Sequence, residues 1–124
     1  MQGTLQNYQG SCHCGAVGFE VKSTLSPSLR CNCSLCRRKG TIIAPVLAEN
    51  FRLLRGEEQL ALYQFNMNVA KHYFCKVCGI HVFHRPRMAP DTYRVNVACL
   101  EGVDPFSLKI DLNDGASFST VSSE

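Results

Sequence analysis

Seven of the eight cysteines in this 124-residue chain fall into three short groups. They read Cys12-His13-Cys14-Gly15, then Cys31-Asn32-Cys33-Ser34-Leu35-Cys36, then Cys75-Lys76-Val77-Cys78-Gly79. Thiols at this density either crosslink a chain as disulfides or hold a soft metal. Cys12 and Cys14, like Cys31 and Cys33, are too close for an easy internal bridge, so disulfides would have to run between groups. The N-terminal MQGTLQNYQG has neither a basic region nor an apolar core, so no secretory signal is expected to carry the chain to an oxidising compartment. A redox Cys-x-x-Cys at Cys33–Cys36 or Cys75–Cys78 wants a βαβ context, which the flanking residues do not offer. Metal is the leading reading.

The third group is the most specific. Two thiolates separated by two residues can both turn inward at a tight turn, and Gly79 allows the positive φ that aims backbone N–H groups at sulfur. Cys-x-x-Cys-Gly between extended segments is a zinc knuckle, which supplies half of a tetrahedral site. The first group, also followed by a glycine, is a candidate for the other half. Four thiolates at about 2.3 Å close a structural zinc site, which would stabilise a chain with a modest core. In the middle group a strand would put Cys31 and Cys33 on one face, and a turn could return Cys36 to them. Three protein ligands leave zinc one open position, the feature that separates catalytic from structural sites. An exogenous thiol or water would fill it.

These groups need a scaffold, and the sequence supplies short strands. Residues 17–21, 42–47, 51–55, 61–65, 71–74, 80–85, 93–98 and 107–111 alternate or carry β-branched runs. Pro45 demotes the second of these to an edge or a bulge. Residues 34–39 fit one helical turn, with Ser34 as N-cap and Gly40 closing it. Residues 113–115, Asn-Asp-Gly, read as a turn. Residues 1–10 are expected to form a loose N-terminal segment, 11–114 a single zinc-binding domain, and 115–124 a frayed Ser-rich tail. The expected class is mostly β, with short antiparallel sheets and little helix.

Composition bounds the function. Apolar residues make up 45% and charged residues 19%, which is ordinary globular usage. The longest apolar run, residues 42–48, is far short of the ~20 residues of a membrane span. The formal charge is +3. Seven thiolates holding two divalent ions would bring it near zero, so charge does not argue for nucleic acid. Arg37-Arg38-Lys39 lacks aromatic interleaving and is a weak nucleic-acid signal. Cys99 reads as a small buried apolar residue. His13 sits between two candidate ligands and is expected to point away from them. His81 and His84 would face opposite sides of a regular strand, so at most one would look into a given pocket.

The order Cys-x-Cys-Gly, Cys-x-Cys-x-x-Cys, Cys-x-x-Cys-Gly resembles the glutathione-dependent formaldehyde-activating enzymes and their centromere-protein-V-like relatives. The resemblance runs from Ser11 to Cys99 and includes Gly15, Ser34, Gly79 and Phe83 beside the seven cysteines. It implies a zinc-bound, mostly β fold of the Mss4-like type, in the cytoplasm. It implies one structural zinc on Cys12, Cys14, Cys75 and Cys78, and a second, open zinc on Cys31, Cys33 and Cys36. The implied activity is that of a carbon–sulfur lyase resembling S-(hydroxymethyl)glutathione synthase, adding glutathione, or another small thiol, to formaldehyde or another small aldehyde. In that reaction the product alkoxide needs a proton, from water or from His72 or His84. Arg37 and Arg38, with Lys39 beside them, would hold the thiol's carboxylates, against the plainer reading of a solvated turn. The competing readings are a non-catalytic zinc-binding interaction module and a relative acting on a different thiol or aldehyde. Residues 40–70 and 85–92 are the expected pocket-forming loops.

Overall fold

Gly18–Ser23 (β2) alternates as its sequence demands: Phe19, Val21 and Ser23 turn inward, and Glu20 and Lys22 are the less buried pair between them. In the computed structural model, which describes residues 4–64, 70–86 and 91–114, β2 is the middle of a three-stranded antiparallel sheet. Its neighbours are β1 (Gln6–Ser11) and β5 (Phe51–Arg55). A second sheet contains β3 (Ser28–Cys31), β4 (Ile43–Leu47), β6 (Leu60–Tyr63), β7 (Lys71–Cys75), β8 (His81–Arg85), β9 (Thr92–Asn96) and β10 (Ile110–Asn113). Its strand order is β10-β3-β4-β9-β8-β7-β6. The pairing of β10 with β3 is parallel and the others are antiparallel. The one α-helix, among the described residues, is α1 (Ser34–Lys39). The fold is thus mostly β and consistent with the Mss4-like type.

The core lies between the sheets. Phe19 and Val21 of the first, with Val17 just before β2, meet Ala44, Val46, Val82, Phe83 and Val95 of the second, with Val97 just after β9. Phe51 joins the layers through its ring, 4.8 Å from Phe83 and 4.1 Å from Tyr93 between centroids. Full burial of one such side chain contributes roughly 1.5–3 kcal/mol.

Several sequence expectations change. Residues 6–10, expected to be loose, form most of β1, because register pairing with β2 from Gln6↔Ser23 to Ser11↔Gly18 satisfies their backbone. Pro45 does not send β4 to the sheet edge. β3 reaches β4 only at Ile43, so at Pro45 the strand is flanked by β9 alone, and a missing N–H is tolerated there. The last strand begins at Ile110 rather than residue 107. The Asp104 side chain accepts from Phe106 N at 3.0 Å and holds Pro105–Ser107 in a 3-10 turn instead. The expected Ser-rich tail, Phe65 and residues 87–90 lie outside the described residues.

Candidate functional site

The first and third cysteine groups, far apart in sequence, meet in space. Cys12 and Cys14 follow β1, while Cys75 ends β7 and Cys78 lies in the turn leading to β8. All four sulfurs lie within 4.8 Å of one another. The Cys12–Cys14 and Cys14–Cys75 sulfurs are 3.6 and 3.7 Å apart. A tetrahedron of sulfurs around a metal at 2.3 Å has edges of about 3.8 Å, so the donor set fits a zinc-sized ion. Backbone N–H groups point at these sulfurs, from Val17 to Cys12 and from Val77 to Cys75, each at 3.3 Å. Those of Cys14 and Ile80 pull the Cys78 thiol down to about 6. Arg55 Nε donates to the Gly15 carbonyl at 3.0 Å and steadies the first loop from β5.

The middle group forms a separate cluster of Cys31, Cys33 and Cys36, all buried, with sulfurs again within 4.8 Å. Local structure explains it. Cys31 ends β3. The helix N-cap is Cys33, not Ser34: its sulfur accepts from Cys36 N at 3.4 Å, and Cys33 N donates to Cys31 Sγ at 3.5 Å. Gly40 N–H to Cys36 O, at 3.0 Å, closes α1. Such a short helix would not persist alone, and burial of Cys36 holds it. The bare thiols hinder one another's ionisation: Cys33 pushes Cys31 up, and Cys31, then Cys33, push Cys36 up. A divalent cation among them would remove that conflict, so this cluster also could hold a metal ion. Among the described residues neither His13 nor Cys99 joins either cluster. Cys99 is half-buried, with its sulfur 3.9 Å from the His81 carbonyl.

Three histidines gather beside α1. His72 and His84 are register partners on β7 and β8, with rings stacked at 4.7 Å. His81 joins them, 5.6 Å from His84 and 6.3 Å from His72 between ring centroids. This corrects the expectation that His81 and His84 face opposite sides. Tyr73 pairs with Phe83 while Phe74 pairs with His81, so Val82 is an extra residue in β8. That bulge shifts the alternation by one and brings both rings to one side. The His81 carbonyl is held by Asn96 Nδ2 at 2.9 Å. Burial, then the Lys39 charge, lowers His72 to about 3, and the same two causes strongly lower His81 and His84. At neutral pH all three imidazoles are uncharged.

A cavity of about 290 Å³ opens between α1 and this hairpin, lined by Leu35, Lys39, Tyr63, His72, Phe74, Gly79 and His81. His84 stacks behind His72 and is not part of that lining. Arg37 and Arg38 are exposed on α1, and Arg38 Nη1 donates to Ser34 O at 2.7 Å. Arg38 borders a second depression of about 230 Å³ that shares Leu35 and Tyr63 with the first. Lys39 directly follows the two arginines in sequence. It is turned the other way, its Nζ 3.1 Å from His72 Nδ1 and 3.3 Å from His81 Nε2. The available signal was helical spacing, since Lys39 lies three residues after Cys36 and so on the cysteine's face.

The family described as glutathione-dependent formaldehyde-activating enzyme matches residues 7–112. A Halomonas elongata protein, provisionally named glutathione-dependent formaldehyde-activating enzyme, is 34% identical over 80 residues, covering 57% of this chain and 51% of that protein. This chain therefore spans about half the length of that curated relative. A Rhodobacter sphaeroides protein of known crystal structure is 46% identical, with a TM-score of 0.82 over 85% of this chain and 99% of that one.

Proposed function

This chain belongs to the glutathione-dependent formaldehyde-activating enzyme family, and from that premise we propose that it catalyses addition of a small thiol to a small aldehyde. Glutathione and formaldehyde, giving S-hydroxymethylglutathione, are the substrates the family name suggests. The reaction is a carbon–sulfur lyase reaction in its synthetic direction. The observation that carries the reading is a buried three-cysteine cluster with no fourth ligand among the described residues, set beside a cavity.

In this proposal Cys12, Cys14, Cys75 and Cys78 hold a closed zinc, and Cys31, Cys33 and Cys36 hold a second with one open position. The closed site ties the β7–β8 hairpin to the loop after β1, which keeps His72 and His81 in the cavity wall. Zinc at the open site would supply either a lowered thiol pKa or a polarised carbonyl. The exposed Arg37 and Arg38 suit the carboxylates of glutathione, which enters along the depression beside Arg38. His72 faces the cavity, and His84 sets the His72 ring from behind. A reducing compartment such as the cytoplasm keeps the seven ligand thiols available.

The test is the rate at which glutathione and formaldehyde interconvert with their adduct, followed by exchange NMR. The native protein is expected to accelerate it, and a Cys33→Ser variant with its four-cysteine metal intact is not. Equal rates for the two proteins would remove formaldehyde activation.

A further inference from the structure

We infer that Lys39 is the residue that binds the aldehyde oxygen and protonates it in this addition. The inference rests on the function just proposed. Lys39 is the last residue of α1, one turn beyond Cys36, so its side chain leaves the helix on the face of the three-cysteine cluster. Burial lowers its pKa, against the opposing pull of Cys36, Cys33 and Cys31, so it is an ammonium that gives up its proton more readily than a free lysine. Its Nζ also lines the cavity, between His72 Nδ1 and His81 Nε2.

An ammonium can only donate, so both imidazole nitrogens must accept from it. This sets the tautomers: His72 carries its proton on Nε2 and His81 on Nδ1. Two of the three ammonium N–H bonds are thereby directed to the wall. The third remains for a ligand in a cavity whose other walls are the apolar Leu35 and Phe74, with Tyr63 and Gly79. Among the described residues no carboxylate pairs with Lys39. A desolvated cation fixed by two neutral acceptors is preorganised for developing negative charge on oxygen. The uncharged imidazoles are poor proton donors by comparison, which separates Lys39 from His72 and His84 as the acid. His72 and His81 are positioning residues in this arrangement.

The step balances without any further reactant. The thiol loses its proton to solvent. The sulfur electron pair forms the carbon–sulfur bond, the carbonyl π bond breaks, and its pair moves to oxygen. Lys39 delivers one proton to that oxygen and recovers one from solvent, leaving a hydroxymethyl thioether and the ammonium restored.

The test compares the metal-loaded wild type with Lys39→Met and Lys39→Arg in the exchange NMR assay, with metal content and glutathione affinity measured on each. Lys39→Met is expected to lose about 100-fold or more in kcat, with unchanged metal content and little change in glutathione Kd, and Lys39→Arg to recover part of the loss. A second readout needs no variant. In wild type labelled with 15N-lysine, the Lys39 Nζ signal is expected to shift when glutathione and formaldehyde are both saturating, and not with glutathione alone. Retention of kcat by Lys39→Met, a loss that tracks lost metal, or an Nζ signal indifferent to formaldehyde would overturn the inference. If the wild type itself fails to accelerate exchange, the proposed function fails first, and that result is distinct from all three.

Discussion

The imidazoles of His72 and His84 stack at 4.7 Å with 25° between their planes because the two residues are register partners on β7 and β8. Both are buried, and neither ring nitrogen of His84 finds a hydrogen-bond partner among the described residues. Their folded pKa values lie below the unfolded value near 6.5, chiefly through desolvation. The unfolded chain then binds more protons than the folded one below about pH 6.5, so stability is full above that pH and falls as pH drops through it. His84→Phe removes one such group. Its acid limb is expected to be shallower than wild type by about 1.4 kcal/mol per pH unit, the value of one proton. Urea titrations from pH 7 to pH 5 on both proteins check this, because metal release affects both alike. Parallel limbs would mean that His84 is charged in the fold.

The two cysteine clusters should differ in what their loss does. Cys75→Ser breaks the cluster that joins the β1–β2 loop to the β7–β8 hairpin. Structural zinc is worth about 10–16 kcal/mol in small domains, comparable to a whole domain's stability, so this variant is expected to unfold or expand. Cys33→Ser is expected to keep the fold and lose one metal per chain. Metal analysis beside circular dichroism separates the two. A folded Cys75→Ser variant retaining both metals would contradict the assignment.

Two glycines with positive φ make a paired test of the scaffold. Gly56 has φ 87°, and a Cβ there would run into the Ala16 carbonyl oxygen and come within 2.8 Å of Val17 Cα. Gly79 has φ 78°, with open space where a Cβ would go. Gly79→Ala is expected to cost about 1–2 kcal/mol, the left-handed strain alone. Gly56→Ala adds a backbone overlap beside the first cysteine loop and is expected to exceed that cost. Thermal melts should therefore rank Gly56→Ala below Gly79→Ala, and the reverse order would count against the packing described.

Arg38 borders the depression that adjoins the cavity, whereas Arg37 does not. Arg38→Ala is expected to weaken glutathione binding about two- to fivefold, the scale of an exposed charge pair, and Arg37→Ala to do less. The difference should shrink as salt is raised from 0.05 to 0.5 M, each an order-of-magnitude setting for strong and weak screening. Calorimetry with glutathione on the metal-loaded protein gives both numbers.

Much of this protein was legible in one dimension. Cysteine spacing separates three groups, glycine positions mark their turns, and alternation around Phe19, Val21 and Val95 marks strands, because each is a local consequence of chain geometry. The family resemblance followed from the same local patterns. Tertiary structure decided the rest. That Cys12 and Cys14 meet Cys75 and Cys78 depends on register between strands distant in sequence. That His81 joins His84 depends on one extra residue, Val82, which alternation cannot foresee because a bulge is set by the partner strand. That Lys39 turns inward while Arg37 and Arg38 face water depends on what α1 packs against. Three consecutive basic residues look alike along the chain apart from their helical spacing, and burial of the Cys36 face of α1 beside β3 is what turns Lys39 away from the two arginines.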